Sequence, residues 1–195
     1  MAKLIVIEGP DRCGKATQTK MLKDHLQSIG YKVVTVEVPV EDGHTYRAIY
    51  WMLANGMAKL FPKLFQKMHV LNRQIFQATT LKRYDEECDF VIFDRWSLST
   101  KIYGLALGLD EKFVDRLYQK SRKPDHTILL LGNSHRKISE DVYEADIELQ
   151  KRVNSLYAGW ALENINECSV IDCAQQKESV FYQIKSVLET KGFFS

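Results

Sequence analysis

Five short apolar runs are spaced along the chain, and each predicts a buried β-strand. They cover residues 4–7, 33–38, 90–93, 127–131 and 169–171. The apolar positions are continuous rather than strictly alternating, a pattern typical of parallel strands that are covered on both faces. We therefore expect a five-stranded parallel sheet at the centre of the protein.

Segments with helical periodicity lie between these runs. The first places Leu22, Leu26 and Ile29 on one face and ends at Gly30. Pro62 can occupy the first turn of a long helix that extends to about residue 86. Two later stripes have core-facing spacing: Leu149, Val153, Leu156 and Trp160, then Val180, Ile184 and Val187. Alternating strands and helices predict one doubly wound α/β domain over residues 1–195, with ligands at the carboxyl ends of the strands.

The first apolar run leads into a glycine-bounded loop, GPDRCGKAT, at residues 9–17. Gly9, Gly14 and Lys15 fit the phosphate-loop pattern G-x-x-x-x-G-K-[ST], whereas Ala16 stands at the hydroxyl position and Thr17 follows one residue late. In such a loop, backbone N–H groups and the N-terminus of the next helix bind phosphate, and the lysine reaches the outer phosphates. The loop therefore predicts nucleotide binding and a domain of P-loop NTPase type.

Charged pairs occur inside this loop and directly after the third run. Asp11 and Arg12 are either solvent-facing loop charges, or a ligand for a sugar hydroxyl and a cation beside the transferring phosphates. Asp94 and Arg95 follow residues 90–93 on the ligand side of the sheet. Asp94 can organise Mg²⁺ through water or cap the next helix, and Arg95 can bridge phosphates. We favour the functional interpretation of the second pair, because both motifs converge on one edge.

Composition excludes several classes of protein. The 195 residues are 45% hydrophobic and 27% charged, as in ordinary globular proteins, and the net charge of +2 indicates neither a nucleic-acid nor a membrane partner. No apolar run approaches the roughly 20 residues that span a bilayer. Because the first residues lead directly into a predicted strand, we expect no signal peptide. The cysteines have no C-x-x-C spacing and are expected to be reduced thiols. We expect a cytoplasmic protein.

Together, the motifs resemble the thymidylate kinase family, in the form that has an arginine in the phosphate loop. The matches follow the order of the family along nearly the whole chain. They are residues 5–18, Leu71-Asn72-Arg73, residues 94–99 with Trp96 in place of a tyrosine, Lys123-Pro124-Asp125, residues 140–144 followed by Gln150 and Val153, and residues 171–174.

The resemblance implies ATP as phosphoryl donor, Mg²⁺ as cofactor, a deoxypyrimidine monophosphate as acceptor with thymidylate the leading candidate, and a homodimer. It implies that Lys15, Arg12 and Arg95 are catalytic and that Asp94 contacts the metal through water. The implied ATP contacts are Arg12, Cys13, Gly14, Lys15, Ala16, Thr17, Arg95, Cys173 and Ala174. The implied acceptor contacts are Asp11, His69, Arg73, Trp96, Ser99, Tyr103 and Tyr143.

A basic segment follows the fourth run. Residues at about 134–143, with Arg136 and Lys137, either close over the phosphates as a mobile lid or form a solvated basic turn. The sequence leaves these two interpretations equally open.

Three positions depart from the family pattern. Ala16 cannot place a hydroxyl on Mg²⁺, so that water or Thr17 substitutes, or the metal is held less tightly. Glu41 stands where the family has an arginine for the acceptor phosphate, and Arg47 either replaces that charge or is an exposed helix residue. His69 replaces a base-stacking phenylalanine; it can stack, hydrogen-bond and titrate near neutrality, or it is a surface residue.

These departures weaken the assignment of thymidylate more than that of the donor site. A kinase for another or modified deoxynucleoside monophosphate is the close alternative. A nucleoside kinase of similar fold would need a carboxylate base, for which Glu8 and Glu37 are candidates. A nucleotide-binding protein that has lost turnover is the non-enzymatic alternative.

Overall fold

The computed structural model of the protein describes residues 1–132 and 147–195. Its centre is a sheet of five strands in the order β2-β3-β1-β4-β5, and every neighbouring pair is parallel. The strands are β1 (Lys3–Glu8), β2 (Val33–Glu37), β3 (Phe90–Asp94), β4 (His126–Leu131) and β5 (Cys168–Asp172). The predicted five-stranded parallel sheet is confirmed, with strand ends within three residues of the predicted ones.

Helices connect and cover the strands. They are α1 (Lys15–Ser28), α2 (Thr45–Ala54), α3 (Met57–Leu60), α4 (Pro62–Phe76), α5 (Lys82–Glu87), α6 (Ser97–Ala106), α7 (Glu111–Tyr118), α8 (Ile147–Glu163) and α9 (Lys177–Thr190). The long helix predicted from Pro62 is confirmed in extent, but a π-helical turn at Gln77–Leu81 separates α4 from α5.

The apolar runs are buried on both faces because successive side chains of a strand point in opposite directions. On one face, Ile5 and Ile7 pack with Leu22 and Leu26 of α1 and with α9. On the other face, Leu4 and Val6 pack with Val36, Phe76 and Trp96. Helices α4, α6 and α8 cover that second face next to Leu129 of β4. Burial on both sides explains why the runs are continuous rather than alternating.

Two helix predictions were wrong in detail. Ile29 is exposed, because α1 ends at Ser28 and the residue lies beyond the buried stripe. In α9, Leu188 completes the fully buried stripe with Val180 and Ile184, whereas Val187 packs only at the edge of that core. A shift of one residue turns a helical side chain by about 100°, so the end of a stripe is its least certain part.

The register of the sheet brings the chemistry-bearing residues to one edge. Asp94, the last residue of β3, pairs with Ile7 of β1 and with Glu37 of β2. Glu8 of β1 pairs with Leu129 of β4. The loops after β1 and β3 therefore start at the same level, at the carboxyl edge where such sheets bind ligands. Within the described ranges, no helix is long and apolar enough to cross a membrane.

Candidate active site

The phosphate loop connects β1 to α1 in a conformation that its glycines permit. Gly9 has φ +143°, and a β-carbon there would lie 2.3 Å from the carbonyl oxygen of Leu130. Gly14, directly before the helix, has φ +76°. Among the described residues, the non-glycine positions with positive φ are Arg12 and Arg95, both at 68°. Such conformations cost of order 1–3 kcal/mol and concentrate at functional sites, which agrees with the two predicted catalytic arginines.

Lys15 is folded back across this loop. It is the first residue of α1, its side chain is buried with the residue 7% exposed, and Nζ donates to the carbonyl oxygen of Pro10 at 2.7 Å. Burial, and then the positive charge of Arg95, lowers the pKa of Lys15 to about 8, while Asp11 and Asp94 oppose this shift. The lysine is a cation at neutral pH that lies next to the loop where phosphates would bind.

Asp11 and Arg95 join the phosphate loop to the neighbouring cavity. The carboxylate of Asp11 forms an ion pair with Arg95 and accepts hydrogen bonds from Tyr103 Oη at 2.7 Å and Gln150 Nε2 at 3.2 Å. Arg95 also donates to the Gly9 carbonyl oxygen at 3.1 Å. Burial alone would raise the pKa of Asp11, but Arg95 and Lys15 outweigh it and hold that pKa below its usual range. The pair is therefore ionised and rigidly oriented.

Glu8 organises the wall of the site, a role that the sequence interpretation missed. It is fully buried, and its Oε1 accepts from the backbone N–H groups of Trp96 and Ser99 at 2.8 and 3.3 Å. Its Oε2 accepts from Ser99 Oγ and Tyr157 Oη at 2.7 and 2.9 Å. A carboxylate at a helix N-terminus satisfies orphan donors and interacts favourably with the helix dipole. Because its oxygens are engaged within the protein, Glu8 is a poor candidate for a base that deprotonates a sugar hydroxyl.

A cavity of about 320 Å³ opens beside Asp11 and Arg95. It brings together all the predicted acceptor contacts that lie within the described residues: Asp11, His69, Arg73, Trp96, Ser99 and Tyr103. Two buried residues that were not predicted also line it, Gln66 of α4 and Thr100 of α6. Trp96 borders the cavity, but its ring packs on Phe93 and its Nε1 donates to the Arg122 carbonyl oxygen at 2.9 Å. Trp96 therefore supplies shape rather than a polar contact.

Arg73 is a buried cation in the wall of this cavity. It is 1% exposed, and it donates to Thr100 Oγ1 at 2.6 Å and to Ser121 Oγ at 3.3 Å. It forms no ion pair with a carboxylate of residues 1–132 or 147–195. Burial lowers its pKa to about 10, so the guanidinium remains charged at neutral pH. A buried cation held by hydroxyl groups is well suited to bind a polar ligand atom.

The preceding residue, Asn72, fixes the loop after β2. Its Oδ1 accepts from Val40 N at 2.7 Å, and its Nδ2 donates to the Val40 carbonyl oxygen at 2.7 Å and to Thr45 Oγ1 at 2.8 Å. The Asn72-Arg73 pair therefore has two separate tasks. Asn72 holds the loop after β2, and Arg73 lines the acceptor cavity.

His69 lies in the cavity wall and is not a surface residue. Its ring makes an edge contact with Phe65 at 4.7 Å between centroids. Burial, followed by the positive charges of Arg73 and Arg95, lowers the pKa of His69 to about 3. The imidazole is therefore neutral at physiological pH, and stacking and hydrogen bonding are the contacts it can offer a ligand.

The residues predicted for the donor lie around the phosphate loop. Ala16 is exposed and shares a second cavity, of about 360 Å³, with Asp94 and Glu37. Cys13 is buried against Gly132, and Cys173 and Ala174 form the turn after β5. Burial, which Lys15 and Arg95 oppose, raises the pKa of Asp94. Within the described ranges, no group of three His, Cys, Asp or Glu side chains can hold a metal ion by itself.

Some predicted residues lie away from these cavities or outside the described ranges. Glu41 is exposed beside a third cavity, and Arg47 is exposed on α2 and does not line the acceptor cavity. Of the two interpretations of Arg47, this arrangement agrees with the exposed helix residue. The acceptor contact Tyr143, the lid residues Arg136 and Lys137, and the lid segment at 134–143 lie outside the described residues.

A parallel doubly wound sheet, a phosphate loop ending in Gly-Lys and an adjoining cavity lined by cations define a P-loop phosphotransferase. Residues 7–184 match the family model described as thymidylate kinase. The thymidylate kinase of Neorickettsia sennetsu is 31% identical over 147 residues, which cover 72% of this chain and 71% of the relative. That of Desulfotalea psychrophila is 28% identical over 204 residues, with 96% of each chain covered.

Solved structures agree on the fold. The structure of the Candida albicans thymidylate kinase has a TM-score of 0.79 and 22% sequence identity, and the match covers 98% of this chain and 93% of that one. The family match spans most of the sequence, and the site contains the family's motifs in order. The chain belongs to the thymidylate kinase family.

Proposed function

We propose that the protein transfers the γ-phosphoryl group of ATP to thymidylate, giving ADP and thymidine diphosphate. The observation that carries this proposal is the Asp11–Arg95 pair, because it belongs both to the phosphate loop and to the wall of the acceptor cavity. A phosphate at the mouth of that cavity would lie next to the loop that holds the donor phosphates. Family membership supports the same reaction.

Phosphoryl transfer requires positioning and charge stabilisation more than a nucleophilic side chain. Lys15 and the loop N–H groups would hold the outer phosphates of ATP. Arg95, already oriented by Gly9 and Asp11, would bridge donor and acceptor phosphates, and Arg12 would act at the transferring group. The buried hydrogen bonds of Glu8 keep Ser99 and the start of α6 in position. The protein thus supplies a preorganised set of cations.

We propose that Mg²⁺ accompanies ATP. Mg²⁺ usually keeps several water ligands and is bound through substrate phosphates plus one or two carboxylates, so the absence of a three-ligand cluster in the described residues is compatible with it. Asp94 would hold it through water, because its carboxylate shares a cavity with Ala16 at the start of α1. The metal would neutralise phosphate charge during transfer.

The acceptor cavity suits a pyrimidine deoxynucleotide. Arg73 would donate to the base edge, neutral His69 would contact the ring, and Tyr103 would lie beneath the sugar, where Asp11 already accepts its hydrogen bond. Because a neutral imidazole has a polar edge that phenylalanine lacks, a modified deoxynucleotide remains the second candidate acceptor.

We also propose a homodimer. Leu60, Leu64 and Leu71, on α3 and α4, are 71%, 52% and 44% exposed, and Phe61 is 51% exposed beside them. Apolar area of this kind is usual at interfaces between subunits. Sedimentation equilibrium of the wild type and of Leu64→Glu tests this: we expect a dimer that the charge converts to a monomer, and a monomeric wild type would refute it.

The function is tested by ADP release, measured with a coupled assay over a panel of acceptors. The panel contains thymidylate, deoxyuridylate, deoxycytidylate, two base-modified deoxyuridylates and free thymidine. We expect the highest kcat/KM with thymidylate. A modified nucleotide as best substrate would support the second candidate, and activity on free thymidine alone would refute both. ATP binding without turnover of any acceptor would identify a degenerate nucleotide-binding protein.

A further inference from the structure

Two cysteines from distant parts of the chain meet at the donor site. Cys13 lies inside the phosphate loop, between Arg12 and Gly14, and Cys173 lies in the turn between β5 and α9. Both pack against Gly132: the thiol of Cys13 lies 4.0 Å from its carbonyl oxygen, and a β-carbon on Gly132 would lie 3.3 Å from Cys173 N. Cys173 also packs against the hydrophobic cluster that contains Cys13.

The two cysteines share Gly132 as a neighbour, and their accessibility differs. The Cys173 thiol raises the pKa of Cys13, and the Cys13 thiol lowers the pKa of Cys173. Cys13 is buried, whereas Cys173 is partly exposed on its turn. A thiol of lowered pKa that solvent can reach, next to a second thiol, is the arrangement found at redox-sensitive dithiols.

We propose that Cys13 and Cys173 form a reversible disulfide that blocks ATP binding. The reaction partner is a low-molecular-weight disulfide of the glutathione type. The Cys173 thiolate attacks one sulfur of this disulfide, which forms a mixed disulfide and releases one small thiol. Cys13 then loses its proton and attacks the Cys173 sulfur, which expels the second small thiol. Two protein thiols are oxidised, and one small disulfide is reduced to two thiols.

The position of the bond explains its expected effect. A disulfide needs sulfur atoms about 2 Å apart, so the phosphate loop and the turn after β5 must move closer for the bond to form. Cys13 is flanked by the residues whose N–H groups and side chains would hold the phosphates. A bond to the turn after β5 would tie this loop to the turn expected beneath the adenine. Bound ATP would separate the two loops from oxidants, so it should protect the thiols.

The test treats the reduced full-length protein with excess oxidised glutathione, with and without ATP. Peptide mass spectrometry then reads which cysteines are linked, and equilibrium titration with a fluorescent ATP analogue reads nucleotide binding. We expect a peptide that links Cys13 to Cys173, a loss of ATP affinity of at least tenfold, and full recovery with dithiothreitol. ATP added beforehand should slow the linkage.

Two variants make the result decisive. Cys173→Ser should keep, after oxidation, the ATP affinity that it has when reduced, whereas Cys88→Ser, at a partly exposed cysteine outside the cavities, should respond as the wild type does. The linkage rests on the placement of the two cysteines beside Gly132, and its effect on ATP rests on the proposed function. Mass spectrometry reads the first, and the ATP titration reads the second. No linked peptide, a linked protein with unchanged ATP affinity, or equal losses in Cys173→Ser would each overturn the proposal.

Discussion

The donor loop and the acceptor cavity are built in different ways. The phosphate loop is continuous, from Gly9 to Lys15, and its shape depends on a glycine that packs against Leu130. The acceptor cavity takes its lining from the ends of β1, β2 and β3 and from α2, α4 and α6. A substitution that alters the conformation of the donor loop should therefore disrupt the whole phosphate site. In the acceptor cavity, by contrast, a single side chain can be replaced without moving the others. This difference explains why the departure at His69 leaves the fold and the loop intact.

Of the substitutions that distinguish the donor loop from the acceptor cavity, we expect Lys15→Ala to cause the largest loss of activity. Lys15→Ala should lower kcat by about 10²–10³-fold, because no other lysine of the loop can neutralise the outer phosphates. Steady-state kinetics measures the loss, and Lys20→Ala is the matched control, since Lys20 is an exposed lysine of the same helix that pairs with Asp24. Near-normal turnover by Lys15→Ala would mean that the donor site lies elsewhere.

In the acceptor cavity, Arg73→Met should raise KM for thymidylate by about 10–100-fold, the range of one lost charge-assisted hydrogen bond. KM for ATP should change less than twofold, because Arg73 lines only the acceptor cavity. Arg83→Met, at an exposed arginine of α5, serves as the control. Equal changes in both KM values would contradict the separation of the two regions.

ATP binding at the donor loop should depend on pH above 8, whereas acceptor binding in the cavity should not. The lowered pKa of Lys15, about 8, means that the empty enzyme loses this ammonium as pH rises above 8. Phosphate binding favours the charged form, so Kd for ATP should increase up to about tenfold per pH unit above 8. Titrations of ATP from pH 7 to 9.5 measure this, and Lys15→Ala should show a flat profile.

His69 tests whether acceptor binding is independent of pH, as we expect for the acceptor cavity. Because its pKa is about 3, the imidazole stays neutral between pH 5 and 8. His69→Phe should therefore change KM for thymidylate by a pH-independent factor, of about fivefold or less. Kinetics of both proteins at pH 5.5 and 8 test this; a ratio that changes tenfold between these pH values would show that His69 titrates.

Ala16 should give the smallest effect. Ala16→Thr adds a hydroxyl beside Asp94, so the concentration of Mg²⁺ that gives half-maximal activity should stay the same or fall by up to a few-fold. Activity measured over a range of Mg²⁺ concentrations reads this directly. A large loss of activity would show that the pocket has packed around alanine.

Residues in local patterns were predictable from the sequence. The strands, the phosphate loop and Asp94-Arg95 each depend on a few neighbouring residues, and parallel pairing then places them at one edge. Most residues that line the acceptor cavity were predicted only through the family resemblance. Those on α4 and α6 are distant in sequence from the phosphate loop, so no local pattern connects them with it.

Other features depend on three-dimensional packing. Glu8 is one acid in an apolar run, and only the approach of Ser99 and Tyr157 turns it into a buried hydrogen-bond centre. The lowered pKa of His69 arises from burial, from Arg73 one helical turn later and from Arg95; its local sequence shows neither the burial nor the approach of Arg95. Cys13 and Cys173 are distant in sequence, and only the fold places both of them beside Gly132.

The most direct test of the central claim is a single-turnover experiment with ATP labelled at its γ-phosphorus and an excess of enzyme. Rapid quenching and chromatography follow the label in the presence of thymidylate. We predict that label leaves ATP and appears in thymidine diphosphate at the same rate, with one ADP per labelled product and a strongly reduced rate in Lys15→Ala. Label that stays in ATP, or that appears only as free phosphate, would contradict the proposed reaction.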